Sequence, residues 1–139
     1  MFRQLLVPLD FTDKNEAAVT IALETARRDG AEVTLLHVIE TIEHVEFDEM
    51  SDFYRKLEAR AAAKLQVLTD RFTAAGVRAR YEIVYGRRVG SILEQAVSEK
   101  TDLIVLSSHL VDREHPALGL GIISYQVAIL AGCPVLLVK

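Results

Sequence analysis

The chain has 139 residues, of which 50% are hydrophobic and 26% are charged, with a formal net charge of −4 and one cysteine. This length fits a single domain, residues 1–139, that buries a stable core without disulfides. The acidic balance argues against a nucleic-acid-binding protein, the lone cysteine excludes an internal disulfide, and no apolar run approaches the ~20 residues that span a bilayer. The N-terminal residues lack a signal-peptide pattern, so we expect a cytoplasmic protein outside the membrane.

The first part of the chain places a helix between two buried strands. The apolar run at 4–9 predicts a strand. Thr12 or Asp13 is the expected N-cap of the following helix, which keeps apolar residues at helical spacing and ends at Gly30. A second apolar run, at 33–38, predicts the second strand.

The middle of the chain contains a surface loop and the longest helix. Residues 40–49 are acidic and aperiodic, which is typical of a loop. Apolar residues then recur every three or four positions from Met50 to Phe72, with Phe53 among them, and predict a helix with one buried stripe. Gly76 follows at the position where a positive φ is favoured, so the helix ends there.

The last part of the chain repeats the alternation of strand and helix. The run at 77–84 predicts a third strand near a sheet edge, and 89–97 predict a helix. Strands at 103–106 and 134–138 enclose a polar loop and a fourth helix. This order predicts a three-layer α/β fold, an open sheet of five parallel strands with helices on both faces.

A ligand cleft is expected where the strand order reverses. With the order 3-2-1-4-5, the reversal lies between the first and fourth strands, and ligands bind beyond the carboxyl ends of the strands at such a point. Asp10 and Ser107 follow these two strands and would face one cleft. Val38 would flank the cleft from the second strand, and His37 before it is more simply a buried histidine with a hydrogen-bond partner.

The sequence resembles the universal stress protein family over essentially its full length. The resemblance rests on five segments in order, LLVPLDFTD, LLHV, YGRRVGSIL, DLIVLSS and GCPVLLV. It implies a Rossmann-like parallel five-stranded sheet, dimerisation through the last strand and, in one branch of the family, adenine-nucleotide binding. In that branch Asp10 and Val38 would match positions that contact the ribose and the adenine.

The phosphate loop departs from the nucleotide-binding pattern of the family, G-2x-G-9x-G-(S/T). Ser107 and Leu110 take the first two glycine positions, Gly121 lies one residue late, and Ile122 replaces the hydroxyl residue. At the glycine positions, residues with side chains would be forced into a left-handed conformation, and a hydrogen bond to a phosphate would be lost. Together these effects would weaken nucleotide binding by up to about 5 kcal/mol. Serine, histidine and arginine side chains in the loop are the groups that can donate hydrogen bonds to a phosphate in place of the lost ones.

The sequence therefore predicts an impaired or altered nucleotide site, with ATP or another adenine nucleotide as its candidate ligand and no certain cofactor. The candidate nucleotide-binding residues are Pro8, Asp10, Val38, Ser107, Ser108, His109, Gly121 and Ser124. The alternative is an ATP-binding family member whose loop uses other side chains in place of glycine.

A second alternative is a metal- or serine-dependent hydrolase. His109, Asp112, Glu114 and His115 are the clustered potential metal ligands. Nothing in their spacing fixes a coordination geometry, so no metal site is assigned. Two serines precede His109, but the G-x-S-x-G turn that exposes a catalytic serine is absent, so we expect a protein that is not an enzyme.

The final strand is a candidate dimer edge. Its residues are apolar on both faces at the predicted edge of the sheet, where unpaired backbone groups invite pairing with another chain. They are Pro134, Val135, Leu136, Leu137 and Val138. We therefore expect a homodimer formed through this strand, and the leading hypothesis is a small stress-response protein that acts by association.

Overall fold

The computed structural model describes residues 1–42, 46–117 and 122–139. Within these residues, strands and helices alternate along the chain. They are β1 (Gln4–Pro8), α1 (Asn15–Asp29), β2 (Glu32–Ile39), α2 (Ser51–Ala74), β3 (Ala79–Tyr85), α3 (Arg88–Ser98), β4 (Leu103–Ser107), α4 (Ile123–Leu130) and β5 (Val135–Val138). A short 3-10 helix, Phe47–Met50, precedes α2.

The five strands form one parallel sheet in the order β3-β2-β1-β4-β5, which confirms the predicted architecture. Successive residues of each central strand point to opposite faces, and helices cover both faces. Leu5 and Val7 pack in the core cluster that contains α1 and α2 residues. Leu6 packs on the other face with residues of α3 and α4. Burial on both faces explains why these strands are continuous apolar runs.

The start of α1 differs from the prediction of a Thr12 or Asp13 cap. The helix begins at Asn15 after Lys14, whose side chain makes no cap hydrogen bond. Thr12 lies in the turn before the helix instead, where its N–H and its hydroxyl both donate to Asp10. The end of α1 was predicted correctly, since Gly30 caps the helix with a φ of 69°.

The buried stripe of α2 differs from the prediction at its first aromatic residue. Phe53 is 45% exposed, whereas the neighbouring Tyr54 is 1% exposed. The hydroxyl of Tyr54 accepts the N–H of Ile42 across 2.8 Å, so the tyrosine places its ring in the core and its polar tip on the chain after β2. Gly76 follows the helix with a φ of 82°, as expected.

The strands β3 and β5 form the two edges of the sheet, as predicted. Pro134, expected in the last strand, lies just before β5 and contributes only its carbonyl, which accepts the N–H of Ile104 across 3.0 Å. A proline has no N–H to donate to a ladder, so it fits best before the strand begins. None of the helices in the described ranges has both the length and the apolar character needed to cross a bilayer.

Candidate functional site

A cleft of about 170 Å³ opens at the carboxyl ends of β1 and β4, where the strand order reverses. This is the position at which open α/β sheets bind their ligands. Its lining residues are Pro8, Leu9, Asp10, Asn15, Leu36, Val38, Arg88, Ile92, Leu106, Ser107, His109, Ile122, Ile123 and Ser124.

The cleft brings together most of the candidate residues from the sequence. Those that line it are Pro8, Asp10, Val38, Ser107, His109 and Ser124. Ser108 instead lies buried beneath the cleft, with 3% of its surface exposed. Gly121 falls outside the described residues. Two further polar residues that line the cleft, Asn15 and Arg88, were not assigned to the site from the sequence.

Asp10 forms a tight turn at the end of β1. Its Oδ1 accepts the N–H of Thr12 at 3.1 Å and the hydroxyl of Thr12 at 2.8 Å. Partial burial alone would raise the pKa of Asp10, but these hydrogen bonds outweigh it and lower the pKa below its usual value. Asp10 is therefore an ionised acceptor at neutral pH at the rim of the cleft.

Asn15 connects this turn to β4. Its side-chain oxygen accepts the N–H groups of Asp10 at 3.1 Å and Phe11 at 2.8 Å, and its Nδ2 donates to the hydroxyl of Ser107 at 3.0 Å. The residue is 7% exposed. Asn15 stands in helical register with the buried Ala18 and Val19, and a polar residue in an apolar stripe was the signal that could have identified it.

A pair of buried hydroxyls connects β4 to α4. The Oγ atoms of Ser108 and Ser124 lie 2.7 Å apart, and only 3% and 4% of the two residues is exposed. The Ser108 hydroxyl also lies 3.4 Å from the carbonyl of His109. Both side chains therefore satisfy their hydrogen bonds within the protein.

His109, at the rim of the cleft, is held by contacts with two other parts of the chain. The Nζ of Lys14 contacts its Nδ1, and the hydroxyl of Tyr125 donates to its carbonyl oxygen. Because an ammonium group has no lone pair, Nδ1 is the acceptor, and the ring proton of a neutral imidazole resides on Nε2. The start of α1 and the helix α4 thus fix the first residues of the loop after β4.

The end of β2 presents backbone groups to the cleft. The N–H of Leu9 donates to the carbonyl of Leu36 at 2.8 Å, after which β1 leaves the sheet. Alternate residues of a strand direct their peptide groups to the same side. The N–H and carbonyl of Val38 therefore face the β1 side, where the described residues contain no strand beside them.

His37 is partly buried next to the turn after β1. Its Nδ1 lies 2.7 Å from the carbonyl of Leu9, and its ring stacks on Phe11 with centroids 4.3 Å apart. Burial lowers the pKa of His37, and the charges of Arg88 and Lys64 lower it further against the opposing Leu9 hydrogen bond. The histidine is therefore neutral at pH 7 and holds the turn in place. This agrees with the expectation from the sequence of a histidine inside the protein with a hydrogen-bond partner.

Arg88 is the cationic side chain on the β2 side of the cleft. It occupies the first position of α3, and its Nε lies 3.7 Å from Oε1 of Glu40. Both side chains are about half exposed, so this ion pair is weak.

The backbone of the loop corrects one premise of the sequence analysis. Among the described non-glycine residues, positive φ occurs at Phe11 and Lys100 and not at Ser107 or Leu110. The loop therefore carries no left-handed strain at the two missing glycines. Its difference from a glycine-rich loop lies in the added side chains and in their hydrogen bonds.

The residues of the metal and hydrolase hypotheses lie at the end of β4 and in the loop after it. Asp112 accepts from the N–H of Glu114 at 2.9 Å and lies 3.0 Å from Nδ1 of His115, but no group of three potential ligands is formed in the part of the chain that the structure describes. The hydroxyls of Ser107 and Ser108 contact Asn15, Lys14, Ser124 and the His109 carbonyl, and neither bonds to the imidazole of a histidine within the described ranges.

Comparison with known proteins gives a consistent result. The model of the Universal stress protein family matches residues 1–139. A universal stress protein of Thermus aquaticus is 30% identical over 142 residues, covering 100% of both chains. The solved structure of the universal stress protein UspA from Lactobacillus plantarum is 26% identical and superimposes with a TM-score of 0.85 over 99% of this chain and 98% of that one. A universal stress protein crystallised with cAMP is 25% identical, with a TM-score of 0.78 over 99% and 97% of the two chains.

Proposed function

This chain belongs to the universal stress protein family, and we propose that it acts in the stress response as a homodimer with an altered adenine-nucleotide site between β1 and β4. The proposal rests on two polar groups that face the same cleft. The ionised Asp10 lies at the end of β1, and the outward-facing peptide of Val38 lies at the end of β2.

The β2 side of the cleft suits a purine base. The peptide of Val38 offers one donor and one acceptor, which can pair with the N1 acceptor and the amino donor of adenine. Apolar side chains surround this point and can cover the two faces of the base. They are Pro8, Leu36, Ile92 and Leu106.

The β1 side suits a ribose. A carboxylate has about four acceptor positions, so Asp10 can accept two ribose hydroxyls while it keeps its hydrogen bonds from Thr12. The turn is fixed before any ligand arrives, because Asn15 and the Phe11 ring on His37 hold it. A preorganised acceptor costs little ordering on binding. The related protein bound to cAMP supports an adenine ligand.

Thermal melting with adenosine and guanosine tests the base and the ribose contacts. Adenosine at about one hundred times its Kd should add about 2.7 kcal/mol and raise Tm by several degrees, whereas guanosine, with a carbonyl in place of the amino donor, should give a much smaller shift. Asp10→Asn should remove most of the shift, because it replaces a charged acceptor but keeps an oxygen for Thr12.

Asp13→Asn is the matched control for this experiment. It removes the same charge three residues away, and Asp13 is not among the described residues that line the cleft. It should keep the full adenosine shift. Equal shifts with adenosine and guanosine, or none with either, would contradict the proposed ligand.

The proposed dimer interface is the edge strand β5 with the adjacent helix α4. Three large apolar side chains are exposed on these elements, Ile129 at 70%, Leu130 at 62% and Leu136 at 40%. β5 pairs only with β4, so its outer backbone groups have no strand beside them within the described chain. Pairing of β5 with its copy would satisfy these groups and bury the apolar side chains.

Light scattering at micromolar concentration tests this interface. The wild-type protein should show twice the 15.5 kDa mass of one chain. Leu136→Lys should give the monomer mass, because a charge at the strand edge opposes pairing. Val67→Lys, at a side chain 70% exposed on α2, should leave the dimer intact. A monomeric wild-type protein would remove this part of the proposal.

A further inference from the structure

We infer that the guanidinium group of Arg88 stacks on one face of the adenine base in the cleft. This inference rests on the proposed adenine site and concerns the side of that site formed by α3. Arg88 lines the cleft together with Leu36, Val38 and Ile92, which surround the proposed position of the base. A planar cation is attracted to the face of an aromatic ring, whichever edge of that ring makes hydrogen bonds.

The peptide of Val38 sets the plane of the base. Backbone hydrogen bonds between strands lie in the sheet, so a base that pairs with this peptide takes the place of a neighbouring strand and lies near the plane of the sheet. The two faces of the base then point to the two helix layers. Val38 packs with Leu36 and Ile92 in the core cluster on the α3 side, so α3 covers one of these faces.

The first turn of α3 places Arg88 over that face. The helix follows the carboxyl end of β3 and leads back to the start of β4, so its first residue, Arg88, lies at the end of the sheet where the cleft opens. Arg88 and Ile92 are four residues apart and therefore lie one turn apart on the same side of the helix. Ile92 is 3% exposed, whereas the side chain of Arg88 is 43% exposed. The stem of the arginine can therefore lie on the apolar wall while its planar head covers the base.

The surroundings of Arg88 favour a role in the cleft over a role in the helix. Its Nε lies 3.7 Å from Oε1 of Glu40, a distance too long for a hydrogen bond. A cation in the first turn of a helix opposes the helix dipole. The first turn of α3, all of which the structure describes, has no acidic residue to offset this effect. Arg88 therefore contributes little to the stability of α3.

Isothermal titration of the intact protein with adenosine and AMP tests the stack. Arg88→Lys keeps the charge and removes the plane, and Arg88→Met keeps an apolar stem and removes the cation. Because adenosine has no net charge, attraction between opposite charges cannot account for a loss of its affinity. Each variant should weaken adenosine and AMP by the same factor, about five- to tenfold, the effect of a cation on an aromatic face that is partly shielded from water.

The outcomes separate this inference from the adenine site itself. Wild-type adenosine affinity in either variant would overturn the stack and leave the adenine site standing. A loss confined to AMP would also overturn it, because Arg88 would then contact the phosphate. A wild-type protein that binds neither ligand would remove the adenine site and the stack together.

The same two substitutions at Arg55 on α2 are the matched control. The Arg55 side chain is 75% exposed beside Asp52 and is not among the described residues that line the cleft, so both control variants should keep the wild-type affinities. Weaker adenosine binding in these variants as well would remove the assignment of the effect to Arg88.

NMR gives a readout of the stack that does not depend on affinity. The Nε–H signal of Arg88, assigned by its absence from the spectrum of Arg88→Lys, should move upfield at saturating adenosine, because protons over the face of an aromatic ring are shielded. A signal that stays in place or moves downfield would contradict the stack.

Discussion

Asn15 and Ser107, 92 positions apart in the sequence, share a 3.0 Å hydrogen bond that joins the start of α1 to the carboxyl end of β4. The same side chain holds the N–H groups of Asp10 and Phe11. One buried amide therefore sets the distance between the two sides of the cleft. Asn15 and the strands together therefore determine the shape of the cleft.

Replacement of Asn15 by alanine should destabilise the fold. It leaves the N–H groups of Asp10 and Phe11 without this partner and removes the hydrogen bond to Ser107, and we expect a loss of about 2–4 kcal/mol in the free energy of unfolding. Urea denaturation measures this loss. Gln66→Ala removes an exposed amide with a single hydrogen bond on α2 and should cost less than about 0.5 kcal/mol. Similar losses in the two variants would contradict the role given to Asn15.

The hydrogen-bonded pair Ser108 and Ser124 should behave as a coupled unit. Ser108→Ala leaves the buried Ser124 hydroxyl unpaired, and Ser124→Ala leaves the Ser108 hydroxyl with only its 3.4 Å contact to the His109 carbonyl, at a cost of about 1–3 kcal/mol each. The double variant removes both polar groups, so its loss should be smaller than the sum of the single losses. A double-mutant cycle measured by denaturation gives this coupling directly. Strict additivity would mean that the two hydroxyls act independently.

His37 should make the protein sensitive to mild acid. Burial holds its folded-state pKa below the unfolded value of 6.5, so the unfolded chain takes up this proton first as the pH falls. The stability that neutral His37 contributes is complete above pH 6.5 and is lost as the pH falls through the lower folded-state pKa.

A comparison of unfolding free energies at pH 7.5 and 5.5 tests this behaviour. His37→Gln should lose less stability across the interval than the wild-type protein does. Val67→Gln, at an exposed side chain of α2, should keep the wild-type dependence. Parallel curves for wild type and His37→Gln would show that His37 does not titrate differently on folding.

Lys100 offers a stabilising substitution. Its φ of 55° lies in the left-handed region, which costs a side-chain-bearing residue about 1–2 kcal/mol, and the residue is exposed after α3. Lys100→Gly should therefore raise the free energy of unfolding. The larger conformational entropy of glycine in the unfolded chain offsets part of this gain, which leaves about 0.5–1 kcal/mol. Ser98→Gly, within α3, should lower it by a similar amount. A destabilised Lys100→Gly variant would contradict this account of the backbone.

Local periodicity was sufficient to predict the sheet. Short apolar runs separated by helical patterns define five buried strands, and parallel pairing with right-handed crossovers leaves few orders for them. The strand order then places Asp10 and Ser107 at one cleft, as found. The error at Phe53 and Tyr54 arose because the polar tip of tyrosine reaches Ile42, a contact with no local signature.

The hydrogen bonds and the backbone conformation of the loop after β4 could not be predicted in the same way. The family pattern showed which glycines are missing, but Ser107, which takes the first glycine position, bonds to Asn15, 92 residues away in the sequence. The next residue, Ser108, bonds to Ser124, 16 residues away. The expected left-handed strain is absent because neither Ser107 nor Leu110 has a positive φ. Hydrogen bonds across tens of residues depend on the assembled fold.

The most direct test of the adenine site is an amide NMR titration of the ¹⁵N-labelled protein with adenosine. The largest shift should occur at the amide of Val38, with further shifts at Asp10 and His109, which line the same cleft, and none at Val67 on α2. Saturable shifts confined to these cleft residues would agree with the account. An amide of Val38 that does not move at saturating adenosine, or shifts that cluster away from the ends of β1, β2 and β4, would contradict it.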